Sequence, residues 1–171
     1  MPGSLGGGEQ GVALLLKNLL FTVLVPGTGA VYVPLLVARD RSAASGPALA
    51  IALAVLVLGA AIYAWCVWDF ATFGRGTPAP IDAPKRRVVR GLYRYTRNPM
   101  YVGALTVILG WAALFQAANL VFYALVVGTC FHLFIVFYEE RHLVQEFRSQ
   151  YEAYRSRVPR WLPSPQRGPA A

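Results

Sequence analysis

The apolar and polar positions of this chain fall into long blocks. Residues 12–37 carry one cation, Lys17, in otherwise apolar sequence, and residues 47–68 carry no charge. Two further runs, 99–118 and 120–138, contain no Asp, Glu, Lys or Arg. A helix needs roughly 20 apolar residues to cross a bilayer, so the pattern predicts an all-α integral membrane protein with four transmembrane helices. Pro26-Gly27-Thr28-Gly29 interrupts the first run, where the chain either kinks one helix or turns a short re-entrant pair. The absence of charge at that turn favours one kinked helix, with Lys17 snorkelling to the headgroups. The link around Phe115-Gln-Ala-Ala-Asn119 is short, so the third and fourth spans are expected to pack as an antiparallel hairpin. That hairpin brings Asn98–Tyr101 beside Glu139-Glu140. Past Glu140 the pattern changes: Leu143, Phe147, Tyr151 and Tyr154 recur at three- and four-residue spacing, predicting a C-terminal amphipathic interfacial helix to about Arg157. Val158-Pro-Arg-Trp-Leu-Pro163 ends it, with Trp161 as an interface anchor.

Composition narrows the class. With 171 residues, 56% hydrophobic and 14% charged, the chain has the length of one domain and too little polar surface for a soluble one. A single membrane domain, 1–171, is expected, with 12–68 forming the first two spans and Gly- or Pro-rich tails at 1–10 and 164–171 disordered. The Pro-rich stretch 74–84 cannot be a helix and reads as an ordered loop, followed by a cationic interfacial segment, 85–95. The N-terminus lacks the basic region of a signal peptide.

Cations collect on one side. Arg75, Lys85, Arg86, Arg87, Arg90, Arg94 and Arg97 lie in the 69–98 loop and Arg141, Arg148, Arg155, Arg157, Arg160 and Arg167 in the tail, against Arg39 and Arg41 opposite. The positive-inside rule then places both termini and the long loop in the cytoplasm, in an inner or plasma membrane. The net charge of +8 reads as topology and contact with membrane lipids. Nucleic acid is excluded as a partner, since the cations flank spans and form no separate basic domain. Cys66 and Cys130 lie inside spans and read as packing residues. There is no Ser-His-Asp constellation and no metal-ligand cluster of recognisable spacing.

The chemistry concentrates in Gly91-Leu-Tyr-Arg-Tyr-Thr-Arg-Asn-Pro-Met-Tyr-Val-Gly103. Asn98 suits the N-cap and Pro99 the first helical position, which leaves backbone N–H groups at the interface, as in an anion site. Glu139 and Glu140 end another span on the same face and add the opposite charge. One cleft can therefore hold a zwitterion with a cationic centre, and S-adenosylmethionine is such a molecule. Each residue also has a plainer reading. The acids can be solvated interface residues, with Glu140 pairing to Arg97 or Arg157. Tyr93 and Tyr101 can belong to an aromatic belt, and His132 can be a hydrogen-bonded packing residue rather than a catalytic one.

Taken in order, Gly91-x-Tyr93-x-x-x-Arg97-Asn98-Pro99-x-Tyr101-x-Gly103, Glu139-Glu140, Phe147-x-x-x-Tyr151-x-x-Tyr154 and Arg157-Val-Pro-Arg-Trp161 resemble the isoprenylcysteine carboxyl methyltransferase and phospholipid methyltransferase superfamily. The match covers roughly 70–163, making 69–163 the methyltransferase motif region. The resemblance implies a membrane enzyme that uses S-adenosyl-L-methionine in a cytosolic pocket roofed by the C-terminal segment, with a lipidic or hydrophobic small-molecule substrate entering from the bilayer. The cofactor contacts it implies are Arg87, Val88, Tyr93, Asn98, Pro99, Met100, Tyr101, Glu139 and Glu140. The chain departs from relatives in two places. Asn98 stands where many have His, and Ile135 where eukaryotic prenylcysteine enzymes place an Arg one turn before the first Glu. His132, one turn further back, is the candidate to take over part of that Arg's role. A carboxylate acceptor is expected, with a lipid amine or small thiol as alternatives. The rival of another class is a haem-binding protein using His132 and His142, or a structural membrane protein.

Overall fold

A computed structural model of the chain describes residues 22–74 and 90–162, together with Leu16 and Leu20. Every regular element among the described residues is helical. We number the main helices α1 (Val23–Val37), α2 (Gly46–Asp69), α3 (Pro99–Leu114), α4 (Ala118–Phe134) and α5 (Glu140–Arg157). A wide π turn, Phe70–Gly74, extends α2, and a second, Ile135–Glu139, joins α4 to α5 without a break.

Two helices, Gly46–Thr72 and Ala118–Arg157, are long and apolar enough to cross a membrane, and α1 and α3 are shorter apolar helices. The third apolar run therefore gives a helix that stops at Leu114, short of the expected 118. A tight turn at Phe115–Ala117, with Gln116 at φ 48°, reverses the chain into α4, as the short link required. Most large side chains of these helices point outward, among them Ile51, Val57, Leu58, Phe122 and Leu125. Such a surface suits hydrocarbon rather than water, where the only backbone groups tolerated are those paired within the helix.

The interruption in the first run is a π-helical stretch within one continuous helix, not a turn. Pro26 has no N–H to donate, and in an α-helix its ring would press on the carbonyl of Thr22. The chain answers with a π-helical stretch, Val23–Tyr32, that runs straight on into α-helix to Val37. Gly27 eases the fit there, because a methyl on it would lie 3.1 Å from the Thr22 carbonyl oxygen, a tight approach. Lys17, both tails, and residues 75–89 of the connecting loop lie outside the described residues, as do the expectations attached to them.

The α2–α3 contact is the most extensive among the described residues, and it is antiparallel and glycine-lined. A methyl on Gly59 would sit 2.7 Å from the Val107 backbone nitrogen, and one on Gly110 would sit 2.7 Å from Leu56 Cγ. Lipid tails are as apolar as the side chains, so helices in a bilayer associate by close packing, and small residues permit it. Ala30, Ala104, Ile108 and Ala124 bring α1, α3 and α4 together, and the Tyr123 hydroxyl ties α4 to α1 by donating to the Gly29 carbonyl at 2.8 Å.

Beyond Glu140 the expected amphipathic helix forms, with Leu143, Val144 and Phe147 packed against buried Tyr151, Tyr154 and Val158. It is not straight. Arg148 adopts φ 40° and ψ −121°, outside the helical region and costly for a residue with a Cβ. This break turns the second half of α5 back over the start of α3.

Candidate functional site

The start of α3 and the junction of α4 with α5 meet, as the hairpin required. The Tyr101 hydroxyl donates to Glu139 Oε2 at 3.0 Å, and Arg97 Nη1 donates to Glu140 Oε1 at 3.0 Å. Two residues adjacent in sequence thus enter different surroundings.

Glu140 is bound up in a knot of charge. Arg160 grips it bidentately, Nε to Oε1 at 2.7 Å and Nη2 to Oε2 at 3.0 Å, while the same Nη1 of Arg97 also reaches the Tyr151 hydroxyl at 3.4 Å. Bidentate pairs of this type are strong and geometrically demanding. Burial works against ionisation of Glu140, but the Arg160 hydrogen bonds and the charges of Arg97, Arg160 and Arg155 outweigh it and hold its carboxyl below the usual range. The expected alternative partner, Arg157, is replaced by Arg160, three residues on. An extended backbone at Val158 carries Arg160 inward where helical Arg157 stays exposed.

Backbone bonds reinforce the knot. The Arg97 amide donates to the Pro159 carbonyl at 2.9 Å, and both Thr96 Oγ1 and Asn98 Nδ2 donate to the Arg160 carbonyl, at 3.1 and 3.0 Å. Tyr154 donates to the Tyr93 carbonyl at 2.7 Å. Asn98 corrects one expectation. It stands at the N-cap position of α3 but makes no side-chain cap bond; its side chain is instead directed through Nδ2 to the Arg160 carbonyl. The first-turn amides of Met100 and Tyr101, which have no intrahelical acceptor, are left without that cap, and Pro99 sits at the first position as expected.

Glu139 lies just past the last residue of the apolar run, beside Tyr101, whose ring rests on Phe131 at 4.7 Å between centroids. Burial raises its carboxyl above the usual range, the Tyr101 hydroxyl lowers it, and the neighbouring Glu140 charge raises it again. Tyr93 is buried among Cys66, Phe70, Leu92 and Met100, and burial above all raises its hydroxyl well above the ordinary value. Tyr93 thus packs the Gly91–Arg94 turn against the end of α2.

Sequence reasoning missed a residue there. Asp69, the last residue of α2, is 3% exposed, and its Oδ2 has no hydrogen-bond partner among the described residues. It presses on Gly91, whose φ of +55° and missing side chain permit the approach; a Cβ at 91 would collide with Asp69 Oδ2 and lie 2.8 Å from Trp65 Nε1. A signal existed, since Asp69 is the one acid between Asp40 and Asp82. It was hidden by its place at the edge of an uncharged run.

The two histidines are separated in role. His132 Nδ1 accepts a hydrogen bond from Trp161 Nε1 at 3.2 Å, and His142 pairs with Glu146 at 3.3 Å. No group of three or more metal-ligating side chains occurs among the described residues. Ile135 is 1% exposed and packed in the interior. Arg87 and Val88 lie outside the described residues.

A family model described as phospholipid methyltransferase matches residues 47–150. No curated protein and no solved structure matches the chain significantly.

Proposed function

Because the chain belongs to the phospholipid methyltransferase family and is by that membership a membrane methyltransferase, we propose that it moves a methyl group from S-adenosyl-L-methionine to a lipidic or hydrophobic acceptor bearing a carboxylate. The observation that carries this reading is the meeting of an uncapped helix start, residues 98–101, with the Tyr101–Glu139 pair at one end of the bundle. The groups present fit that cofactor. Glu139 and the unpartnered Oδ2 of buried Asp69 suit an ammonium or ribose hydroxyls, the amides of Met100 and Tyr101 suit a carboxylate, and the rings of Tyr93 and Tyr101 suit a cationic centre. Pro99 fixes the helix start, and Asn98 fastens it to the Arg160 carbonyl.

When bound, S-adenosylmethionine supplies an electrophilic methyl group on a sulfonium. The transfer is an in-line displacement, so the residues have to align the acceptor and exclude water, and no nucleophilic side chain is required. A carboxylate or thiolate needs no general base, whereas a protonated amine must first lose a proton. Glu140 acts at one remove in this reading, by anchoring through Arg160 the segment that roofs the site. We place the site on the cytoplasmic side of a four-span bundle, by the distribution of Lys and Arg. The family description favours a second reading, transfer to a lipid amine.

Glu139→Ala is expected to abolish binding of S-adenosylmethionine, read by titration calorimetry on the purified protein, while leaving membrane insertion intact. Unchanged affinity overturns the site. Incubating membranes with radiolabelled S-adenosylmethionine then separates the acceptors: a base-labile ester marks a carboxylate, and base-stable label in lipid marks an amine.

A further inference from the structure

A groove of about 420 Å³ opens on the apolar surface between α3 and α4, within the roughly 300–1,000 Å³ usual for ligand clefts. Leu105 and Leu109 form one wall and Val121 and Leu125 the other, and His132 and Trp161 close one end. Gly128 makes the room. A methyl there would meet Leu105 at 3.6 Å, an ordinary contact, so the glycine is not forced by helix packing.

The closed end is polar and oriented. The Trp161 indole nitrogen can only donate, so its bond to His132 leaves Nδ1 as acceptor and puts the ring proton on Nε2. The two rings lie nearly parallel, 24° apart, which holds the imidazole in place. Thr129, the other polar residue lining the groove, donates its hydroxyl proton to the Leu125 carbonyl at 2.9 Å. What His132 has left to offer is therefore an N–H. Phe131, its chain neighbour, carries the Tyr101 ring on which Glu139 depends, and Trp161 follows the arginine that clamps Glu140. The closed end of the groove thus lies on the same helix as Glu139, about two turns before it, and is joined through Trp161 to the segment that clamps Glu140.

We propose that this groove holds the hydrocarbon chain of the acceptor and that His132, set by Trp161, donates Nε2–H to the acceptor's carboxylate. The proposal rests on the methyltransferase reading and gives it an entry route from the bilayer and a specificity-determining residue. A carboxylate oxygen forms the new C–O bond as the methyl–sulfur bond breaks, the bonding pair stays on sulfur, and no proton moves. An ammonium head group would meet the imidazole donor to donor, with no lone pair at Nε2 to take its proton. Uncharged hydrocarbon alone would fill the groove without using His132.

The test is photolabelling of the full chain in zwitterionic phospholipid vesicles with a photoactivatable long-chain carboxylic acid. Label is expected within residues 121–132, displaced by an unlabelled carboxylate at concentrations at least tenfold below those of an ammonium of the same chain length. Gly128→Leu is expected to lose the label. His132→Ala is expected to retain label but lose the preference, and His132→Gln, which can accept from Trp161 and still donate, to recover it. Label elsewhere, retention in Gly128→Leu, or equal displacement by the ammonium overturns the proposal. The labelling needs no methyl donor. Failure of S-adenosylmethionine to bind in a separate titration counts against the methyltransferase site and leaves this result readable.

Discussion

Between α2 and α3 the contact is backbone on backbone, with Gly59 and Gly103 facing one another, whereas the start of α3 is held to the C-terminal segment by charges, hydroxyls and carbonyls. The two regions share α3 and lie a few turns apart. In the glycine seam, apolar burial gives no net gain against lipid, so stability depends on how closely the helices approach. In the knot, Glu140 is buried against two guanidinium groups, and stability depends on every charge keeping its partner. The seam is sensitive to volume and indifferent to pH, and the knot is the reverse.

The largest expected effect is in the knot. Removing one partner of a buried ion pair strands the others, at about 3–5 kcal/mol, and Glu140→Ala strands both Arg97 and Arg160. Thermal unfolding in detergent micelles is expected to fall by that amount, with protease sensitivity appearing first in the segment after Arg148. A loss under about 1 kcal/mol, the range of exposed pairs, would erase the contrast between the regions.

Gly59→Ala comes next. The added methyl meets the Val107 nitrogen and the Gly103 carbonyl oxygen at 2.7 and 2.9 Å, and backbone cannot swing aside as a side chain can. Overpacking of this kind costs about 1–3 kcal/mol. Gly128→Ala, with its methyl in open contact, serves as the matched control and is expected to change little by the same unfolding assay.

How far these regions were legible from sequence follows from the same contrast. The apolar helices, the hairpin and the stripe at Leu143, Phe147, Tyr151 and Tyr154 are signals written into many residues at once. The meeting of Tyr101 with Glu139 followed from the hairpin alone. The partners within the knot were less accessible. Asn98 reads as a cap because local geometry favours it, but the carbonyl of Arg160, 62 residues away, takes its amide. Arg157 and Arg160 are equivalent in type, and only the extended backbone at Val158 decides between them. The break at Arg148 has no sequence signal, since nothing about an arginine announces φ 40°.

A change of pH separates the regions without mutation. Glu140 has its carboxyl lowered in the fold, so its contribution is fully present above the unfolded carboxylate value of about 4.3 and is lost as pH falls through the lower folded value. Glu139 has its carboxyl raised; its contribution is greatest below the unfolded value and is lost as pH rises through the folded one. Chemical denaturation across pH 3–7 (about the usable range for carboxylates) is expected to show acid destabilisation that Glu140→Gln removes and Glu139→Gln steepens. Gly59→Ala is expected to lower the whole curve without changing its slope. The pH effect is smaller than that of Glu140→Ala, because protonation leaves the carboxyl group in place to accept hydrogen bonds.

The smallest effect tests whether the knot extends to its neutral members. Tyr154 donates to the Tyr93 carbonyl at 2.7 Å, both residues being buried. Tyr154→Phe keeps the ring in its cluster with Leu143, Val144 and Phe147 and removes the hydroxyl alone. A typical hydrogen bond contributes about 1 kcal/mol, and the loss is expected to stay near that value. The Tyr93 carbonyl belongs to the short Gly91–Arg94 turn that rests on Asp69, so the loss should also loosen that turn. Hydrogen exchange at residues 91–97 is expected to quicken in Tyr154→Phe and to stay unchanged in Gly59→Ala. Quickening in both variants would mean that the two regions unfold as one unit, and the division drawn between volume and charge would then be one of composition without energetic consequence.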